Sequence, residues 1–508
     1  MSNIAARFLA MAEQVPDQAA LIAPEGSITY KALAEKVERY AAGLSQAGWK
    51  RGMRAVMMVP AGIDFFALVF AHFKLGAVPV FIDPAMGFQN MRQVIAESQP
   101  EAFIGIPKAH VARWLGGWGK QTLKHRLSLG MALPGVPALG DGPPVPTAPT
   151  AADEPAAILF TSGSTGVPKG ALHTHGSFET QTDFVRDQFA VVPGEVHVAM
   201  FPIFGLYDLA LGVTTVLPDV DTTKPAKVPP AVVVATVNRH QATCMFGSPA
   251  MLDNLGRGGA PMPSLKAIIS ASGPVLPGVL DRLDRLVDAN TTVYVPYGAT
   301  EGLPISVIGH REALGLAPQW AAGEGLCIGT PLASVELAII PITDAPLDEV
   351  TRLEPGTVGE IAVRGPIISQ AYIARPEANL LAKIKGGWHR MGDLGRVDEQ
   401  GRLWFYGRKA HRVGTHYTIA TEAIFLQHPH VARAALVGVQ ERPVMCIQAE
   451  PGQAGAQLAR ELLEWAAQHP HTAEIKQVLF HPRFPVDIRH NSKIYREALA
   501  AWATRELV

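Results

Sequence analysis

Three cysteines in 508 residues, Cys244, Cys327 and Cys446, are odd in number, far apart and without metal-ligand spacing, so neither a disulfide framework nor a zinc site is indicated. Such thrift points to a reducing compartment, and a cytoplasmic location is expected. Charge is sparse as well. Charged residues make up 18% of the chain, below the roughly 25% usual in soluble domains. Lys+Arg 44 against Asp+Glu 45 leaves no excess of either sign, which argues against a dominant nucleic-acid surface and a nucleic-acid partner. Long apolar runs are missing. The most apolar longer stretch, 65–82, is interrupted by His72, Lys74, Gly76 and Pro79, whereas a transmembrane helix needs about 20 predominantly apolar residues. The stretch reads as a buried helix followed by a buried strand, so no transmembrane segment is expected. The opening MSNIAARFLAMAEQVPDQ lacks the basic start and long apolar core of a signal peptide.

What remains is a large, moderately apolar chain, 48% hydrophobic, long enough for about three structural units. Its first part alternates helix and strand patterns. Leu33, Val37, Tyr40, Ala41 and Leu44 share one helical face. Residues 53–59, 77–82 and 102–106 read as strands, and 65–74 and 89–98 as helices. Repeated β-α-β units predict an α/β body with a largely parallel, helix-covered sheet. A Pro/Gly/Ala-rich connector over 140–155 interrupts it. A second α/β stretch runs to about Ser306. From about Gly325 the strings VELAII, GEIAV and RLWFYG predict a small antiparallel, barrel-like β unit. Beyond Arg408 a helix near 422–427, strands near 434–439 and 445–449, and a helix over 457–469 predict a small α+β domain. The expected division is 1–407, a hinge at 408–410, and 411–508.

The string TSGSTGVPKG, from Thr161 to Gly170, concentrates three glycines, four hydroxyls and a lysine. Glycines let backbone N–H groups converge on an anion. The hydroxyls of Thr161, Ser162, Ser164 and Thr165 add donors, Gly163 and Gly166 permit the turns, and Lys169 adds charge. It is not the GxxxxGK[ST] loop of kinases and GTPases, because Pro168 precedes Lys169 and Gly170 follows it. An ordinary turn between strands is the plain alternative.

This loop resembles the signature of the adenylate-forming superfamily, which contains acyl-CoA synthetases, adenylation domains of peptide synthetases and beetle luciferases. Four further strings follow in that family's order. YGATE, at Tyr297–Glu301, resembles the motif that packs on adenine, contacts the α-phosphate and helps bind magnesium. HRMGDLG carries Asp393, which the resemblance places on the ribose hydroxyls. GRLWFYGRK carries Arg408, placed near the ribose at the domain junction. NSKIYREAL carries Lys493, matching a lysine that swings in for adenylation on a mobile C-terminal domain. The resemblance adds Ser272, Gly273 and Pro274 to the nucleotide site, with Gly298, Ala299 and Thr300. It makes Lys493, Thr165, Lys169 and Glu301 the catalytic set, with ATP and Mg²⁺ as cofactors and Glu301 as the metal ligand. Taken singly, Glu301 could be a solvated acid beside a turn, Asp393 a turn aspartate and Lys493 a surface lysine; the joint order argues otherwise.

The departures narrow the reading. Many acyl-CoA synthetases carry a histidine where FPIFGLYDLALG has Gly205. The position two after Arg408 is usually Asp or Lys; here it is Ala410. The glycine-bearing loop that helps CoA users form a thiol tunnel is altered to KAHRVGTHYTIAT. Several strings, among them FIDPAMG, MFGSPAMLDNLGR and HPRFPVDIRHNSKIYREALA, resemble the olefin β-lactone synthetases of bacterial hydrocarbon synthesis. That subgroup implies ATP-dependent closure of a 2-alkyl-3-hydroxy fatty acid to a β-lactone, with other olefin-pathway enzymes as possible partners. The rival readings are a long-chain acyl-CoA or acyl-AMP ligase and a catalytically silent nucleotide- or lipid-binding homologue.

Other residues keep two readings. His173, His175, His389 and His411 could act as bases near neutral pH or be structural. Phe201, Phe204, Leu206 and Leu209 could line an alkyl channel or be plain core. Phe201, Phe204, Tyr207 and Gly298 are the candidate substrate contacts, and Asp208 stands beside them.

Overall fold

A computed structural model describes residues 2–83, 86–160, 168–221, 224–487 and 494–507. The alternating first part forms a six-stranded sheet in the order His125–Ser128, Ala102–Gly105, Arg54–Met58, Val78–Phe81, Pro155–Phe160, Gly170–Thr174. It is parallel except for its last pair. A nine-stranded sheet carries the second α/β stretch, and the Ala19–Ala23 and Gly26–Thr29 strands join its far edge. Its parallel interior runs Thr292–Ala299, Ala267–Ser270, Cys244–Gly247, Val196–Ala199, Thr214–Val216, Ala19–Ala23.

The apolar stretch that failed as a membrane span is the central helix, Ile63–Leu75, buried from Phe66 to Lys74. It shares one core with Leu21 of the nine-stranded sheet and Ala55 and Ile104 of the six-stranded one. Burial on both sides explains why its sequence is apolar all round. Its two polar interruptions are satisfied. His72 donates through Nδ1 to the Leu68 carbonyl (2.7 Å) and accepts from Trp49 Nε1 (3.2 Å). Lys74 pairs with Glu38 (2.8 Å) and donates to Thr147 of the Pro-rich connector (3.1 Å). Among the described residues no helix is long and apolar enough to cross a membrane, and all three cysteines are free and buried.

The antiparallel unit expected from about Gly325 is a six-stranded sheet built on Leu403–Arg408, Trp388–Val397, Gly359–Arg364 and Glu336–Ile340. The C-terminal domain is a separate three-stranded sheet, Val431–Val439, Arg442–Ala449 and Val478–Phe480, with the Thr418–Phe425, Ala456–Ala467 and Arg496–Leu507 helices. Buried Glu422 accepts from Leu436 N (2.9 Å) and pairs with Arg496, which ties two of these helices to the sheet. The first helix starts earlier than its apolar pattern alone indicated. Val413 and His416 exchange backbone hydrogen bonds (3.0 and 2.9 Å) in a tight turn that delivers the chain straight to Thr418.

Candidate active site

Three segments distant in sequence meet at the carboxyl ends of the parallel strands. Tyr297 ends the Thr292–Ala299 strand, which turns back at Thr300 and Glu301 into Gly302–Gly309. Gly298 is required there by crowding: a Cβ would lie 2.4 Å from the Gly302 carbonyl oxygen. Asp393 and Arg408 sit in register on neighbouring antiparallel strands. The buried Asp393 carboxylate accepts from Tyr297 Oη (2.7 Å) and Arg408 Nη1 (2.9 Å). Arg408 also donates to the Met391 carbonyl (3.0 Å). Burial, then Asp393, raises the Tyr297 phenol well above its ordinary range. Asp393 in turn holds the Arg408 guanidinium up.

Beside this group Glu301 accepts a short hydrogen bond from Tyr372 Oη, while the Ser369 amide donates to the Glu301 carbonyl (2.6 Å). Two amines flank the Tyr372 ring, Lys169 at 5.0 Å and Lys383 at 5.9 Å from its centroid. Lys383 donates to the carbonyl of Ser369 and to its hydroxyl (3.3 Å). Burial pulls its amine down to about 8 against the opposing pull of Glu301. His173 fixes the turn by donating from Nε2 to the Thr300 carbonyl (2.8 Å), and burial holds it neutral, down to about 4. His389 is buried edge-on to Tyr372 at 6.0 Å, and burial followed by the charge of Lys383 drives it well below the usual range. Ser272 lies in the left-handed backbone region at φ 85°, where non-glycine residues concentrate at functional turns; Gly273 and Pro274 follow it. Amines and a guanidinium interleaved with two carboxylates suit a polyanion accompanied by a divalent cation. A single Glu301 carboxylate is a fitting magnesium ligand, because Mg²⁺ usually takes one or two carboxylates and completes its shell with phosphate and water.

Thus Tyr297, Thr300, Glu301, Asp393, Arg408 and Lys169 gather in one region. Thr161, Ser162, Gly163, Ser164, Thr165, Gly166 and Lys493 lie outside the described residues. Tyr372, Ser369 and Lys383 were not found by sequence reasoning. They belong to no contiguous string, and only the placement of a lysine between two glycine-free apolar positions, Ala382 and Ile384, hints that Lys383 is buried.

An apolar cavity runs along the same sheet from Pro296 and Leu303 at this site to Cys244 and His197. Phe204 and Tyr207 line it, with Phe246 stacked on Phe204 at 4.1 Å. Phe201 packs against Phe204 (5.7 Å) and Phe246 (6.4 Å). Leu206 and Leu209 are fully buried in the main core instead, so the stripe divides between lining and core. Gly205 leaves no room for a side chain: a Cβ would sit 2.9 Å from Thr215 Cγ2 and 3.0 Å from Phe66 Cζ.

The family model described as AMP-binding enzyme matches residues 8–373. The chain belongs to the AMP-binding enzyme family. It is an ATP-using, AMP-forming ligase. This family member is 42% identical to the olefin beta-lactone synthetase of Xanthomonas campestris pv. campestris, over 100% of this chain and 98% of that protein. It is also 42% identical to the olefin beta-lactone synthetase of Stenotrophomonas maltophilia, over 99% and 98%. In fold it is similar to the amide bond synthetase McbA of Marinactinospora thermotolerans, with a TM-score of 0.82 at 22% identity covering 98% of this chain and 99% of that chain. ATP-bound MatB of Rhodopseudomonas palustris superposes with a TM-score of 0.81 at 19% identity, covering 100% of both.

Proposed function

We propose that this ligase is an ATP-dependent β-lactone synthetase of long-chain olefin biosynthesis. Its substrate is a 2-alkyl-3-hydroxy long-chain fatty acid. The carboxylate attacks the α-phosphate of ATP and expels pyrophosphate. The 3-hydroxyl then attacks the activated carbonyl, loses its proton and expels AMP. The observation that carries this reading is the 42% identity to two olefin beta-lactone synthetases, sustained from the large body through the C-terminal domain.

In this reading Asp393 takes the ribose hydroxyls, with Tyr297 against the adenine and Thr300, Gly298 and Ala299 beside the phosphate. The Thr161–Gly166 loop and Lys169 hold the phosphates, and Ser272, Gly273 and Pro274 border the nucleotide. Lys493 comes to the α-phosphate from the C-terminal domain, where its charge counts most as negative charge develops. Glu301 holds Mg²⁺, which when bound draws charge from the phosphate oxygens. Phe204 and Tyr207, backed by Phe201, receive alkyl carbon. The hinge lies at 408–410, between the 1–407 and 411–508 units. Lys409 donates to Thr343 O (2.7 Å) and meets Glu360 (3.2 Å), while exposed Ala410 makes no such anchor. The pivot therefore falls at Ala410. The protein is cytoplasmic and hands its product to other enzymes of the pathway.

Adenylation replaces an oxide leaving group by AMP. The hydroxyl is tethered to the carbonyl it attacks, and well-oriented intramolecular attack reaches effective molarities of roughly 10⁵–10⁸ M. Strain in the four-membered ring offsets part of that gain. No thiol is needed, and the tight turn between Val413 and His416 supports a chain that has dispensed with a thiol tunnel. The test is mass spectrometry of products from ATP, Mg²⁺ and a 2-alkyl-3-hydroxy acid, with and without CoA. A β-lactone plus AMP without CoA is expected, with at most a stalled adenylate from an acid lacking the hydroxyl. A thioester formed only when CoA is present would replace this reading by an acyl-CoA ligase.

A further inference from the structure

The far end of the apolar cavity is ionic. His197, on the Val196–Ala199 strand, donates from Nδ1 to Asp208 Oδ1 at 2.7 Å, and its Nε2 lies 3.6 Å from Glu195 Oε2. Glu195 is held in turn by Lys266 (2.8 Å) and Asp208 by a long contact with Thr215 Oγ1 (3.4 Å). His197 and Asp208 are buried and both face the cavity, next to Cys244. Burial disfavours charge on the imidazole, but Asp208 and Glu195 outweigh it and hold the group up at about 9. His197 and Asp208 form an ionic pair at one end of a tunnel lined elsewhere by aromatic and aliphatic side chains and by Gln181.

Strand register fixes its depth. His197 aligns with Cys244, Cys244 with Ala267, and Ala267 with Thr292. Tyr297 lies five residues further along that last strand, about 16 Å at roughly 3.3 Å per residue. The ion group therefore closes the cavity at the opposite end of the sheet from the nucleotide residues.

We propose that His197 and Asp208, backed by Glu195, form a length stop, a specificity-determining floor that limits the hydrocarbon branch this cavity accepts. The inference rests on the β-lactone synthetase reading, which supplies the alkyl branch. Each methylene entering apolar lining gains roughly fourfold in binding. A methyl group pressed onto Asp208 and His197 gains nothing and strips a charged pair of its remaining polar surroundings. An aliphatic wall could move aside by changing rotamer. This one is held by the charge-assisted hydrogen bond between His197 and Asp208, with the Glu195–Lys266 pair behind it.

The test uses the full chain, ATP, Mg²⁺ and a series of 2-alkyl-3-hydroxy acids whose branches grow two carbons at a time. The readout is kcat/KM for pyrophosphate release. The parent profile should rise with length and then fall about tenfold at a cutoff. His197→Leu combined with Asp208→Leu makes the floor apolar without orphaning either charge, and Glu195 keeps Lys266. This pair should move the cutoff outward by two carbons or more. Cys244→Met fills the same end and should move it inward; it decides the question if the double variant does not fold. Cutoffs unchanged in the folded variants would overturn the floor alone. Failure of the parent to release pyrophosphate with any acid would instead overturn the β-lactone reading, and the floor with it.

Discussion

The two ends of the nine-stranded sheet both bury carboxylates among cations, but they do so to opposite effect. At the carboxyl end, Asp393 is shared between a phenol and a guanidinium, and Glu301 between a phenol and the field of Lys383. In the proposed reading, a nucleotide and a metal ion recruit these groups away from one another. At the amino end, Asp208 and Glu195 enclose one imidazole, and Lys266 completes the charge balance. There His197 Nδ1 and Glu195 have protein partners, whereas His197 Nε2 stands 3.6 Å from Glu195 without a hydrogen bond.

The largest break in this comparison should come from the catalytic end. Lys493→Ala is expected to slow ATP–pyrophosphate exchange by about a hundredfold or more, as losses of transition-state charge stabilisation do, while ATP affinity measured by titration stays near that of the parent. Equal exchange rates would remove Lys493 from the chemistry. At the opposite end, Asp208→Ala should leave activity measurable but lower stability by roughly 3–5 kcal/mol, because it strands His197 beside a single carboxylate. Denaturant melts read this directly, and the His197→Leu/Asp208→Leu pair should recover most of the loss.

Asp393→Ala sharpens the contrast, since the same chemical deletion should act on binding rather than on stability. Loss of hydrogen bonds to a charged group is worth about 1.5–3 kcal/mol, so ATP affinity should fall roughly 10–100-fold. Its partner Arg408 keeps 38% of its side chain exposed, so water can replace the missing carboxylate and the melt should shift little. A large melt shift with unchanged affinity would reverse the assignment of the two ends.

The effect visible only across a pH range is a pair of opposite slopes. His173 is depressed to about 4 in the folded state, below its ordinary 6.5, so its contribution is present above 6.5 and lost as pH falls towards 4. His197 is raised to about 9, so its contribution is complete below 6.5 and lost as pH rises through 9. Each slope approaches about 1.4 kcal/mol per pH unit between its two limits. Thermal midpoints across pH should lose part of their acid-side slope in His173→Gln, the rest belonging to other depressed histidines such as His389, and part of their alkaline-side slope in His197→Gln. Parallel profiles in both variants would show that neither histidine is held as described.

Much of this was legible in the chain itself. The helix face of Leu33, Val37, Ala41 and Leu44 is buried as its spacing required, with Tyr40 at its margin. The strands over 54–58 and 78–81 and the antiparallel unit after Gly325 stand close to where composition put them. Tyr297, Glu301, Asp393 and Arg408 could be named because each sits in a short contiguous string that resembles a motif of the adenylate-forming superfamily. The open readings needed coordinates. Phe204 and Leu206 are two residues apart, yet one faces the cavity and the other the core. His173 proved to be a hydrogen-bonded neutral group that braces the Thr300 turn.

The sequence by itself determined the family, the order of the motifs and the alternation of strands and helices, because these depend on neighbours along the chain. Tertiary structure alone decided which carboxylates are shared and which are sealed. Lys383 reaches the Glu301 group from more than eighty residues away, and His197, Asp208 and Lys266 come from three separate segments. Their charges are set by burial and by partners a few ångströms off in space, and no local pattern encodes either quantity.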